Sequence, residues 1–166
     1  MARVFLGLGG NVGSVPATFR QSLESLESQG HLRVIDTSSL WRSPSWGFVG
    51  PDFYNAVAEV ETEVEPGALL RALLQEEQER GRVRGAQMGD RPVDLDILSW
   101  EDQQIEEPGL TIPHPGLTGR DFVVLPLAEL DPEVTVNGAT ASTYRERFVE
   151  ASTCQKLEDT ADWRRW

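Results

Sequence analysis

Asp90-Arg91-Pro92-Val93-Asp94-Leu95-Asp96-Ile97-Leu98 is the stretch from which the fold can be read. From Val93 onward apolar and acidic residues alternate at period two, the pattern of a strand with Val93, Leu95 and Ile97 on one face and both aspartates on the other. Two carboxylates about 7 Å apart on one strand face repel each other unless a cation lies between them. Hard oxygen donors suit Mg²⁺. An isolated Asp-x-Asp is more often an ordinary wet strand face, so the neighbouring residues have to decide.

Upstream of that strand, Met1 to Gly10 reads as a first strand, with Val4, Phe5, Leu6 and Leu8 apolar and Gly7, Gly9 and Gly10 ending it in a tight turn. The glycines imitate a dinucleotide-binding turn, but the third position of that fingerprint falls on Val12, where glycine or alanine is needed. A helix follows, N-capped by Ser14, with Pro16 in its first turn, Phe19, Leu23 and Leu26 as its stripe and Gly30 as its stop. Residues 31–42 are expected to form a second strand and residues 53–63 a third. Between them, residues 43–51 carry two prolines and two glycines beside Trp46 and Phe48, which suggests a lid over a ligand. Pro66 opens a helix with a stripe through Leu69, Leu70, Leu73 and Leu74, ending near Arg80-Gly81. The aspartate strand is then fourth. Strand, helix, strand, strand, helix, strand is the split βαβ of a ferredoxin-like α+β sandwich. Its helices would cover one face of a mainly antiparallel sheet and leave the other, with Asp94 and Asp96, for a site.

Composition bounds the function. The chain has 166 residues, 39% hydrophobic and 25% charged, the profile of an ordinary globular domain. A single domain over residues 1–166 is expected, with a ferredoxin-like core at about 2–100 and an active-site loop and helical part at about 101–166. A net charge of −12 opposes a nucleic-acid or membrane-surface partner. It also weakens the reading as an RNA-binding sheet, which needs exposed aromatics amid basic charge. No transmembrane segment or signal peptide is expected, and Cys154, the lone cysteine, fits a reducing cytoplasm. A monomer is the expected state.

Fourteen of the fifteen basic residues are arginines, and Arg80, Arg82, Arg84 and Arg91 crowd into residues 80–91. In so acidic a chain a guanidinium cluster calls for an anion, and arginine grips phosphate bidentately as lysine cannot. Beside a two-carboxylate metal site, that pairing points to phosphoryl transfer, although neither a Walker loop nor a kinase catalytic-loop signature is present. Downstream, Leu110-Thr111-Ile112-Pro113-His114-Pro115 holds His114 rigidly between prolines, and residues 119–130 read as a short helical element with Arg120 near its start.

The segments LGGN (8–11), WRSPSWG (41–47), DFYNAV (52–57), GRVR (81–84), RPVDLDIL (91–98), IPHP (112–115) and RDFVVLPLAEL (120–130) together resemble the 6-hydroxymethyl-7,8-dihydropterin pyrophosphokinase family of folate biosynthesis. The resemblance implies transfer of pyrophosphate from MgATP, the co-substrate, to the pterin hydroxymethyl group, with AMP as the other product. It implies that Asp94 and Asp96 hold two Mg²⁺ ions, with Arg82 and Arg91 joining them in catalysis. Glu77, Arg82, Arg84, Arg91, Ile97, Thr111, His114 and Arg120 would serve ATP. Ser43, Pro44, Trp46, Phe53, Asn55, Asp94 and Phe122 would form the pterin pocket. Loops at about 43–51 and 82–92 would close over the substrates. The chain departs from the family pattern at Gly10, Phe53, Met88, Asp90 and Gly109.

Overall fold

The computed structural model describes residues 1–45, 50–81 and 92–166. Its centre is an antiparallel sheet. β1 (Ala2–Gly10) pairs on one side with β4 (Phe53–Thr62) and on the other with β5 (Asp94–Trp100). β4 pairs in turn with both β2 (Arg33–Thr37) and β3 (Trp41–Ser43). With α1 (Val15–Ser28) and α2 (Pro66–Glu79), this is the ferredoxin-like arrangement expected from the sequence.

The alternation in β1 sorts the two faces. Val4, Leu6 and Leu8 point into a core with Phe19, Leu23 and Leu26 of α1, Leu69 and Leu73 of α2, and Leu95 and Ile97 of β5. The stripe on α2 is turned from the expected one. Leu70 and Leu74 are only partly buried, whereas Glu76 and Glu77 are 2% and 4% exposed. Each of those carboxylates has a partner, as a buried charge requires. Glu77 Oε2 accepts the Leu95 amide at 2.7 Å, and Glu76 Oε1 meets Arg80 at 3.0 Å. Ser14 stands at the start of α1 as expected, but its side chain makes no cap hydrogen bond. Gly30, at φ +80°, ends that helix in the left-handed conformation that glycine adopts without strain.

The single strand expected over residues 31–42 is two strands, and serine chemistry explains the break. Ser38 exchanges hydrogen bonds with Val57: its amide donates to the Val57 carbonyl and its hydroxyl accepts the Val57 amide, both at 2.9 Å. Ser39 gives its amide and hydroxyl to Glu129, and the Leu40 amide goes to Thr160 Oγ1. Side chains thus replace ladder partners.

The second sheet face is open only at one end. α3 (Asp121–Leu130), the short helical element expected within residues 119–130, packs Val123, Val124 and Leu127 against Phe5, Val57 and Leu98. Residues 101–166, expected to hold an active-site loop and a helical part, also hold two hairpins, β6 (Ile105–Glu107) with β7 (Leu110–Ile112) and β8 (Thr135–Val136) with β9 (Ala139–Thr140), before α4 (Ala141–Arg145). β10 (Gln155–Lys156) then joins the main sheet beside β3. The tail closes the first core: Trp163 is fully buried, edge-on to Phe19 at 5.8 Å between ring centroids, with its indole donating to the Ser38 carbonyl at 2.8 Å.

Candidate active site

At the open end of the second face, cross-strand register lines up side chains from three strands. Gly9 lies opposite Asn55 on β4 and Asp94 on β5; Gly7 lies opposite Val57 and Asp96. Opposed residues in a sheet share a face, so Asn55, Asp94 and Asp96 rise on either side of a β1 floor that has no side chains. These glycines are part of the strand and do not end it, which corrects their reading as turn residues. The sequence shows two glycines at period two, on the face opposite Val4, Leu6 and Leu8; what makes them a floor is the cross-strand register.

The floor opens into a cavity of about 320 Å³. Ser43, Pro44, Phe53 and Asn55 line one side, Asp94, Asp96 and Leu98 the other, and Arg120, Phe122 and Val123 the α3 side. Ser43 is buried and pairs with Phe53 across β3 and β4. Phe53 and Asn55, two apart on β4, share the cavity face, and Phe122 enters from the other element with the Arg120 guanidinium 5.9 Å from its ring centroid. Asn55 lines the cavity and its Nδ2 donates to the Leu8 carbonyl at 3.4 Å, one of the four hydrogen bonds that an amide side chain can make. A flat heterocycle with a polar rim fits such a space: rings for its faces, and an amide and a hydroxyl for its edge.

His114 approaches from the loop after β7. Its main-chain N–H donates to the Leu98 carbonyl at 2.8 Å, and its Nδ1 accepts the Gly116 amide at 3.1 Å. The neutral ring therefore carries its proton on Nε2, which lies 4.0 Å from Asp96 Oδ2. Burial, and next the Arg120 guanidinium, hold His114 below the usual histidine range, against the pull of Asp94. A neutral imidazole with an outward N–H is a donor suited to an anionic oxygen.

The other residues singled out in the sequence are more scattered. Glu77 is a buried tie between α2 and β5. The Ile97 side chain lies in the first core at 4% exposure, which leaves its main chain to meet any ligand. Thr111 is exposed on β7 opposite Glu106. Trp46, Arg82, Arg84 and Arg91, and the departures at Met88 and Asp90, lie outside the described residues.

The donor set also bears on the metal. Among the described residues no three His, Cys, Asp or Glu side chains gather as an all-protein cage. Two half-buried carboxylates on one strand, facing an open cavity, instead suit Mg²⁺, which keeps much of its water and takes other ligands from substrate phosphates.

A ferredoxin-like sandwich with an acidic pair facing a ring-lined pocket is an α+β fold whose cavity has the size and lining of a small-molecule site. The family described as 7,8-dihydro-6-hydroxymethylpterin-pyrophosphokinase (HPPK) matches residues 5–132, and the chain belongs to it, as its motifs suggested. A Methylorubrum extorquens protein called 2-amino-4-hydroxy-6-hydroxymethyldihydropteridine pyrophosphokinase is 38% identical over 141 residues, covering 84% of this chain and 89% of the relative. An Aquifex aeolicus protein of the same name is 38% identical over 135 residues, covering 81% and 83%. The crystal structure of wild-type Plasmodium falciparum HPPK-DHPS matches the fold with a TM-score of 0.71 at 17% identity, over 89% of this chain and 41% of that one. The chain thus spans less than half the length of that solved protein.

Proposed function

We propose that this enzyme transfers the terminal diphosphoryl group of ATP to the hydroxymethyl oxygen of 6-hydroxymethyl-7,8-dihydropterin, within folate biosynthesis and in a reducing cytoplasm. The hydroxymethyl oxygen bonds to the β-phosphorus of ATP, the bond from that phosphorus to the α,β-bridging oxygen breaks, AMP leaves, and the hydroxyl proton is released. The observation that carries this reading is the single cavity in which the Asp94–Asp96 pair and the Asn55–Phe53–Phe122 cluster face each other across a glycine floor.

Asp94 and Asp96 would hold Mg²⁺, two ions by analogy with the family, and the metal would neutralise the triphosphate and the charge that builds on it. Asn55 and Ser43 orient the pterin edge while Phe53 and Phe122 cover its faces, which brings the hydroxymethyl group toward the aspartates. His114 Nε2–H and Arg120 donate to phosphate oxygens from the β7–α3 side, a charge-assisted positioning that supplies much of the catalysis in phosphoryl transfer. On the family pattern, Glu77, Thr111 and Ile97 also serve ATP. Arg82, Arg84 and Arg91 serve its phosphates, and Trp46 covers the pterin. The outward course of the β5 main chain fits the Ile97 assignment. Leu95 turns its N–H away from β1 to Glu77, and residue 97 shares that edge by alternation.

The test is AMP formation from ATP. AMP released only when both 6-hydroxymethyl-7,8-dihydropterin and Mg²⁺ are present supports the proposal; ADP as product, or turnover independent of the pterin, rejects it.

A further inference from the structure

A glycine inside a strand needs a reason, because it weakens the strand and packs nothing. Five described glycines have a backbone reason: Gly13, Gly30, Gly81, Gly109 and Gly138 all have positive φ. Gly9 does not belong with them. It sits in the extended ladder of β1 between Asn55 and Asp94, a conformation open to any residue. What singles it out is the space above it. A Cβ built at Gly9 would stand 2.8 Å from Asn55 Nδ2, closer than non-bonded atoms tolerate. The next-nearest atoms, Asn55 Cγ at 3.9 Å and the Tyr54 carbonyl oxygen at 4.0 Å, are in ordinary contact. Among the described residues, the group that glycine spares is the Asn55 amide.

That amide is held by one described bond, from Nδ2 to the Leu8 carbonyl at 3.4 Å. A methyl group at position 9 would strike the donor atom of that bond. The cheapest relief is rotation of the short Asn55 side chain, since the β1–β4 ladder runs unbroken through nine residue pairs. The fold would survive, and the amide would lose the orientation it presents to the cavity.

We propose that Gly9 is a positioning residue for substrate recognition: its missing side chain holds the Asn55 amide against the Leu8 carbonyl and so fixes the hydrogen-bonding edge that reads the pterin. The inference rests on the pterin-transfer reading above. It assigns to a strand glycine the specificity that would otherwise be credited to Asn55 alone.

The experiment is a double-mutant cycle on the full chain, with Gly9→Ala, Asn55→Ala and the pair, reading pterin affinity by calorimetry, MgATP affinity in parallel and the melting temperature of each. Gly9→Ala is expected to weaken pterin binding about tenfold or more, the scale of an unpaired buried polar edge. Melting temperature and MgATP affinity should stay near those of the parent. In the Asn55→Ala background the same change should cost almost nothing, because the amide it displaces is gone. Parent-like pterin affinity in Gly9→Ala overturns the inference. So does a loss that adds fully to that of Asn55→Ala, or a fall in melting temperature that weakens both ligands together. If the parent protein itself binds no pterin, the proposed function fails, and that outcome is distinct from the others.

Discussion

His114 Nε2 lies 4.0 Å from Asp96 Oδ2, a residue of the cavity wall. The separation is too long for a hydrogen bond. A metal held by the aspartate and an anion held by the imidazole N–H would bring opposite charges into that gap. Asp96 and Asp94 share this face because β5 alternates, and both are half-buried. Asp96→Ala or Asp94→Ala should therefore lower turnover by several orders of magnitude, since each removes an oxygen ligand where charge develops. Neither carboxylate packs in the helix-side core, so the melting temperature should hold or rise. Parent-like turnover at saturating Mg²⁺ would remove the metal role.

Folding stability should also carry the mark of His114. Burial and Arg120 lower its affinity for a proton in the folded state, so below the ordinary histidine range, about 6.5, the unfolded chain binds the proton more readily. Stability then rises with pH through that window and falls on acidification. His114→Asn should flatten the part of the stability profile between about pH 5 and 7, as read by urea unfolding at a series of pH values. An unchanged slope would mean that the imidazole is not protected as its surroundings imply.

The pterin edge makes a ligand-selective prediction. Asn55→Ala should weaken pterin binding by roughly 1–3 kcal/mol, the cost of leaving a buried polar edge unpaired. MgATP affinity should hardly move, because the aspartates proposed to hold the metal stand across the glycine floor from Asn55. Isothermal calorimetry with each ligand separates the two. Unchanged pterin affinity would reduce Asn55 to a tie between β4 and the Leu8 carbonyl.

What the sequence made legible follows the range over which each signal acts. The period-two runs of β1, β4 and β5 and the stripes of α1 and α2 are local, and they sufficed for the sandwich. The aspartates could be read for the same reason, since their shared face depends only on their own strand. The glycine floor could not. Gly7 and Gly9 become a floor only through a register that sets Gly9 opposite Asn55, and a register belongs to two distant segments. The break between β2 and β3 was hidden likewise, because it depends on Glu129, ninety residues beyond Ser39 in the chain. The C-terminal tail left no local signal at all: Trp163 is defined by Phe19 and Ser38, both more than a hundred residues away.

Glu129 should prove costly to remove. Its carboxylate accepts the Ser39 amide at 3.1 Å, the Ser39 hydroxyl at 2.6 Å and the Trp41 indole at 2.9 Å, and meets Lys156 at 3.5 Å. Glu129→Ala strands donors at the root of β3, so a loss of about 1–3 kcal/mol is expected, measured by urea denaturation. Glu129→Gln, which keeps an acceptor, should recover part of it. Equal stability in all three proteins would show that water replaces the carboxylate without penalty.

The tail allows the sharpest stability test. Trp163 is the largest fully buried side chain in the described structure. Its ring stands edge-on to Phe19 at 5.8 Å, and its Nε1 donates to the Ser38 carbonyl at 2.8 Å. Those contacts tie a 3-10 turn near the C-terminus to α1 and to the break between β2 and β3, so truncation removes packing and a buried hydrogen bond together. Trp163→Ala should cost about 3–5 kcal/mol, the usual range for deleting a large buried ring, a substantial part of the stability of a domain this size. Trp163→Phe keeps most of the ring but leaves the Ser38 carbonyl unpaired. It should recover the larger share of the loss and still fall short of the parent by about 1 kcal/mol, one hydrogen bond. Urea melts of the three proteins decide the matter. If Trp163→Ala unfolds at the parent's midpoint, the tail does not belong to the core, whatever its burial.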